Sequence, residues 1–123
     1  MPKFSRHTLV ALITHPTNRL IPFRPGYALD YDRLFAAAVD TRTLVEIDGS
    51  PAHLDLDGAL ARRAIAAGAR VTIDSDGHRA EMLGRQMQLG IMTARRGWVE
   101  PRHVLNTRPL EEVRAFIAAK RVS

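Results

Sequence analysis

The stretch Arg70-Val71-Thr72-Ile73-Asp74-Ser75-Asp76-Gly77-His78 decides how this chain is read. Residues 70–73 form a short apolar run of strand length, and a polar cluster follows at once. Upstream, Thr43 to Ile47 repeats the pattern and is broken by Asp48-Gly49-Ser50-Pro51. Further back, Thr8 to Ile13 is a third such run, ended by Thr14-His15-Pro16. Between the runs lie segments of helical spacing. Asp30 is placed to cap a helix through about Asp40, with Leu34, Phe35, Ala38 and Val39 on its apolar side. Asp57 is placed to cap another to Ala67, with Gly68 as its stop. Helical spacing resumes near Ala80 and runs past Met87, with Gly90 as an expected interruption. Gly97-Trp98 breaks it, and a last helix spans Leu110 to Lys120, with Glu111 and Glu112 complementing its dipole. The Pro- and Arg-rich segment from Thr17 to Ala28 reads as a loop. Strand–helix alternation of this kind predicts an α/β fold with a parallel sheet.

The chain has 123 residues, 46% of them hydrophobic and 25% charged, which suits a single packed domain or a piece of one. A formal net charge of +5 and a pI of about 10.7 point weakly to a polyanionic partner. Lys3 and Lys120 are the only lysines, so the basic character is arginine, spread along the chain. The absence of cysteine rules out disulfides and thiolate metal sites, leaving His and carboxylates for any transition metal. No apolar run reaches the roughly 18 residues of a membrane span, and the start does not read as a signal peptide, so a cytoplasmic location is expected.

Three polar clusters fall at or just after the expected strand C-termini: His15, Glu46, and Asp76 with His78. In α/β barrels and open α/β sheets that edge carries the chemistry. Asp76-Gly77-His78 places a carboxylate and an imidazole two residues apart, a start for a Zn or Mn site. Taken alone it reads more simply as a turn, with Asp74 or Asp76 capping the next helix. His15 before Pro16 reads by itself as a loop histidine, while Arg19 is suited to grip a phosphate. Glu46, costly at the end of an apolar strand, reads as structural or as a support for a ligand. His53 and His103 read as exposed. Trp98 reads as an anchor for the terminal helix before it reads as a platform for a base.

Several strings together resemble the PHP (polymerase and histidinol phosphatase) domain at the C-terminus of bacterial family X DNA polymerases. They are H-P-T-N-R at 15–19, R-P-G-Y at 24–27, L-V-E-I-D at 44–48, S-P-A-H-L-D-L at 50–56, D-S-D-G-H at 74–78, T-A-R-R-G-W at 93–98 and V-L-N-T-R-P-L at 104–110. The resemblance implies that residues 1–123 are the C-terminal portion of a distorted TIM-like (βα)7 barrel, about three βα units and a terminal helix. It implies His15, Asp76 and His78 as ligands, each of a different ion in a Mn or Zn cluster. It implies a 3′–5′ exonuclease or 3′-phosphatase acting on DNA. A small-molecule phosphatase of the histidinol-phosphatase type and a non-catalytic DNA-binding or interaction remnant are the alternatives.

The family's N-terminal ligands, beginning with an H-x-H motif, are missing, since His7 stands alone. Asp48 stands where Asn is usual, Gly77 where Ala is, and Asn18 where Gly is. With one ligand per ion, the chain alone is expected to bind metal weakly and hydrolyse little. Three strands cut from a barrel are also expected to expose an edge and to need a partner: a missing N-terminal half or a second copy.

Overall fold

A computed structural model describes residues 10–122. Thr8 and Leu9 of the expected first strand, and His7, lie outside the described residues. Three strands, β1 (Leu12–Ile13), β2 (Leu44–Asp48) and β3 (Val71–Asp74), form one parallel sheet in the order β1-β2-β3. Helix α1 (Tyr31–Thr41) connects β1 to β2, and α2 (Gly58–Ala66) connects β2 to β3. Helices α3 (Leu83–Arg96) and α4 (Leu110–Val122) follow. The α/β class and the parallel sheet are as the alternation predicts.

Both predicted caps are in place. Asp30 accepts the Arg33 N–H at 3.2 Å and Asp57 accepts the Leu60 N–H at 2.8 Å, each satisfying a helix-end donor that would otherwise lack one. Gly68 follows α2 with φ +97°, a backbone that favours glycine.

The sheet has two unlike faces. Val45 and Ile47 of β2 lie in register with Val71 and Ile73 of β3, and Ile13 of β1 pairs with Val45. These side chains pack with Phe35 and Ala38 of α1, Ala61 and Ala64 of α2, and Ala94 of α3. Full burial of a residue such as Phe35 or Ile47 contributes about 1.5–3 kcal/mol. Because strand side chains alternate, Glu46 and Asp48, in register with Thr72 and Asp74, share the opposite face.

Gly90 does not interrupt α3, which runs unbroken for 14 residues. It is a contact instead: a Cβ there would stand 2.8 Å from Ile73 Cγ2, so the missing side chain lets α3 lie close on β3. Gly97 ends α3 where a Cβ would meet the Gly58 carbonyl oxygen at 2.5 Å, at the crossing with α2.

The expected open edge is covered on one side. Val104 bridges Val71 in parallel, and the Asn106 side chain works as a piece of strand. Its Nδ2 donates to the Ile73 carbonyl at 2.7 Å and its Oδ1 accepts the Ile73 N–H at 3.1 Å. On the other side β1 pairs only with β2 among the described residues. Where β1 ends, Asp55 and Leu56 take over its edge of β2: the Asp48 N–H donates to the Asp55 carbonyl at 2.6 Å and the Leu56 N–H to that of Glu46 at 3.0 Å.

Helix α4 is tied down by Lys120, which is almost wholly buried. Its Nζ donates to the Thr41 carbonyl at 2.5 Å, at the C-terminus of α1, and to Thr43 Oγ1 at 2.9 Å. Burial pulls its pKa down. None of the described helices is long and apolar enough to cross a membrane.

Candidate metal centre

The site forms beyond the C-terminal ends of the strands. His15 leaves the line of β1 at φ +45°, and Asp76 leaves β3 at φ +47°. Non-glycine residues with left-handed backbone are uncommon, and such strain collects where a side chain must be aimed. Here it turns both toward Asp48, which is fully buried at the end of β2. One donor atom each from His15, Asp48 and Asp76 lies within 4.8 Å of the others. A single ion with bonds of about 2.0–2.2 Å spans slightly less than that, so small side-chain rotations would bring all three onto one ion.

The contact between His15 and Asp48 has an unusual character. Nδ1 stands 2.9 Å from Asp48 Oδ2, yet both atoms are buried and neither finds a hydrogen-bond partner, because the approach is not directed for one. Two cis ligands of one ion at bonds of about 2.1 Å are separated by about 3 Å, so this spacing also suits a shared cation. The donor set, one imidazole and two carboxylates, suits Mn or Zn.

A support layer holds His15 and Asp48 in place. Glu46 Oε1 accepts the His15 N–H at 3.0 Å. Ser50 N–H donates to Asp48 Oδ1 at 2.7 Å. Asp55, fully buried, accepts the Thr17 N–H at 3.1 and 3.0 Å on its two oxygens and the Asn18 N–H at 2.9 Å. It thereby fixes the turn that follows His15. The sequence reading of Glu46 as structural support agrees with its place here.

The electrostatics ask for positive charge. Glu46 is pushed up to about 9, first by burial and then by a hydrogen bond shared with Asp74, with the charges of Asp74 and Asp48 adding to the rise and the His15 N–H opposing it. Glu46 therefore carries a proton at neutral pH, giving the Asp74 carboxylate a donor; Asp74 Oδ1 otherwise has none. Asp48 is pushed up to about 6, by burial first, against the pull of the Ser50 N–H, with Asp76 and Asp74 raising it and His15 lowering it. Carboxylates gathered this closely in a chain of net charge +5 repel one another until a proton or a cation intervenes.

The residues singled out in the sequence divide between the centre and its rim. His15 and Asp76 come together. His78 does not join them: it is exposed, and its Nδ1 lies 3.0 Å from the Asp76 carbonyl. Arg19 is held on backbone, its Nε donating to the His53 carbonyl at 2.7 Å and its Nη2 to that of Leu54.

Three residues that matter here were not named for the site. Asp48 looks like part of a turn beside Gly49-Ser50-Pro51, although its two-residue spacing from Glu46 puts both carboxylates on one face of the strand. Asp55 carries no local signal. His53, expected exposed, is half-buried beside His15 with ring centres 5.1 Å apart, and its Nδ1 is 2.8 Å from the Arg19 carbonyl. With Ser50, Asp76, His78 and Arg79 it lines an open cavity of about 350 Å³ next to the centre. His103, also expected exposed, is half-buried and accepts the Glu100 N–H on Nδ1 at 2.9 Å.

The chain is 43% identical over 108 residues to the DNA polymerase/3′-5′ exonuclease PolX of Bacillus subtilis (strain 168). The match takes in 88% of this chain and 19% of PolX, so the chain spans about a fifth of the length of that relative. No family model matches the chain.

Proposed function

We propose that this chain is the C-terminal part of a PHP-type metal-dependent phosphoesterase domain, of the kind joined to a family X DNA polymerase. On this reading it supplies His15, Asp48 and Asp76 to a divalent cation, Mn or Zn, and belongs to an activity that hydrolyses phosphate esters of DNA. The observation that carries the proposal is the 2.9 Å approach of His15 Nδ1 to Asp48 Oδ2, both buried and both without a hydrogen bond. The similarity to PolX favours DNA over a small phosphate ester.

A divalent ion held in such a place acidifies water and polarises a phosphoryl oxygen. The chain's own groups do the remainder. Glu46 fixes the main chain of His15, and Asp55 fixes the turn after it. His53, His78 and Arg79 offer donors for a phosphate in the adjoining cavity. Arg19, committed to the carbonyls of His53 and Leu54, serves that cavity by holding its wall rather than by gripping the phosphate.

Further ligands and strands come, on this reading, from outside the chain, joined along β1 to complete a TIM-like barrel. Their source is an upstream segment, a separate half or a second copy. Single-stranded DNA incubated with the chain and Mn²⁺ tests the activity. Cleavage or 3′-phosphate release that is lost in Asp76→Asn supports it. Salt-dependent DNA binding with no hydrolysis, even after the missing half is supplied, selects the non-catalytic remnant instead.

A further inference from the structure

Trp98 does not anchor the terminal helix. It is 69% exposed, the chain's lone tryptophan, and it is held out by a backbone with φ +59°. A bulky residue in the left-handed region is strained, and no core packing is gained in return. What it meets is Arg62 of α2, whose guanidinium carbon lies 4.3 Å from the ring centre. Arg95 and Arg96, in the last turn of α3, are exposed beside it. The Trp98 N–H donates to the Arg95 carbonyl at 3.0 Å, and the close approach of Gly97 to Gly58 draws the last turn of α3 onto the first turn of α2. Among the described residues no carboxylate pairs with Arg62, Arg95 or Arg96. The neighbouring Arg63, by contrast, is paired with Asp32 at 2.8 Å.

We propose that Trp98 with Arg62, Arg95 and Arg96 is a binding platform for single-stranded nucleic acid, separate from the metal centre. One face of the indole lies against Arg62, and the other is open for a base to stack on. The unpaired guanidinium groups meet the phosphates on either side. Charge decides the occupant: a protein surface docking here would have to bring carboxylates to match the arginines, whereas a nucleic acid strand carries both the flat base and the anions. The ends of β2 and β3 lie against Gly90, and Gly97 is about 10 Å further along the axis of α3, so the platform sits beside the sheet rather than at the strand ends. A strand bound there is held without touching the metal ligands. The inference rests on the nucleic-acid side of the reading above but not on the metal, so the two fail separately.

The test uses the chain in EDTA, titrated with a short oligothymidylate while the emission of its single tryptophan is followed. Quenching that saturates is expected, with log affinity falling against log salt at a slope of about −2 for three phosphate contacts. By anisotropy of a labelled oligothymidylate, Trp98→Ala is expected to weaken binding about tenfold and Arg62→Ala with Arg96→Ala more, while Trp98→Phe keeps part of the affinity. Unchanged emission, or variants that bind as well as the parent, overturns the proposal and leaves the metal centre untouched.

Discussion

Asp48 Oδ2 and His15 Nδ1 face each other at 2.9 Å across the C-terminal edge of the sheet, both buried and neither hydrogen-bonded. The contact joins the turn after β1 to the end of β2 and brings with it Asp76 from the end of β3. Three consecutive strand ends thus contribute one donor each. The donor atoms of His15, Asp48 and Asp76 lie close enough to reach one ion, where the sequence led to an expectation of a single ligand per ion.

Without metal, stability is expected to fall as the pH rises. The folded pKa of Glu46, about 9, lies above its ordinary value of 4.5, so the folded state holds this proton more tightly than the unfolded state does. The stabilisation is complete below about pH 4.5 and is lost as the pH climbs through about 9. Asp48, at about 6, adds the same trend over a lower window. Glu46→Gln is expected to flatten most of the slope and to raise stability near pH 9 by on the order of a few kcal/mol. Denaturant midpoints of both proteins from pH 5 to about 9 in EDTA check this.

Replacing Asp55 is expected to cost more than its silent sequence context suggests. Asp55→Ala leaves the Thr17 and Asn18 N–H groups without their acceptor. A loss of about 2–4 kcal/mol follows, with weaker metal binding because His15 sits directly before that turn. Thermal unfolding measures the first effect and Mn²⁺ titration the second.

Asn106→Ala should uncover the edge of β3. The substitution removes both bonds to Ile73, at a cost of about 1–2 kcal/mol, and leaves strand donors and acceptors free to recruit another chain. A larger oligomer on size exclusion, with a lower midpoint in urea, is the expected outcome.

Much of the framework was legible because it depends on local chemistry. Asp30 and Asp57 each stand three residues before the N–H they accept, and the apolar runs between the helices have strand length. What stayed hidden depends on residues far apart in the chain. Gly90 has the composition of a break, and only the position of Ile73 makes it a contact. Asn106 closes a strand edge 33 residues away. Trp98 beside a terminal helix suggests an anchor, but the crossing of α2 and α3 turns it outward against Arg62.

The site was half legible for the same reason. His15 and Asp76 carry a signal in their position after strands. Asp48 belongs with them through the register that sets it opposite Asp74, and that register comes from tertiary pairing. The cue available in the chain was the alternation in Val45-Glu46-Ile47-Asp48 and Val71-Thr72-Ile73-Asp74, which places the polar residues of both strands on one face.

The most direct test of the centre is the number of Mn²⁺ ions bound per chain, measured by calorimetric titration of the parent and of Asp48→Ala and His15→Ala. One ion per chain, with affinity reduced at least about tenfold in both variants, is the expected result. No saturable binding in the parent, or binding that survives Asp48→Ala unchanged, would contradict the assignment of His15, Asp48 and Asp76 to a shared cation.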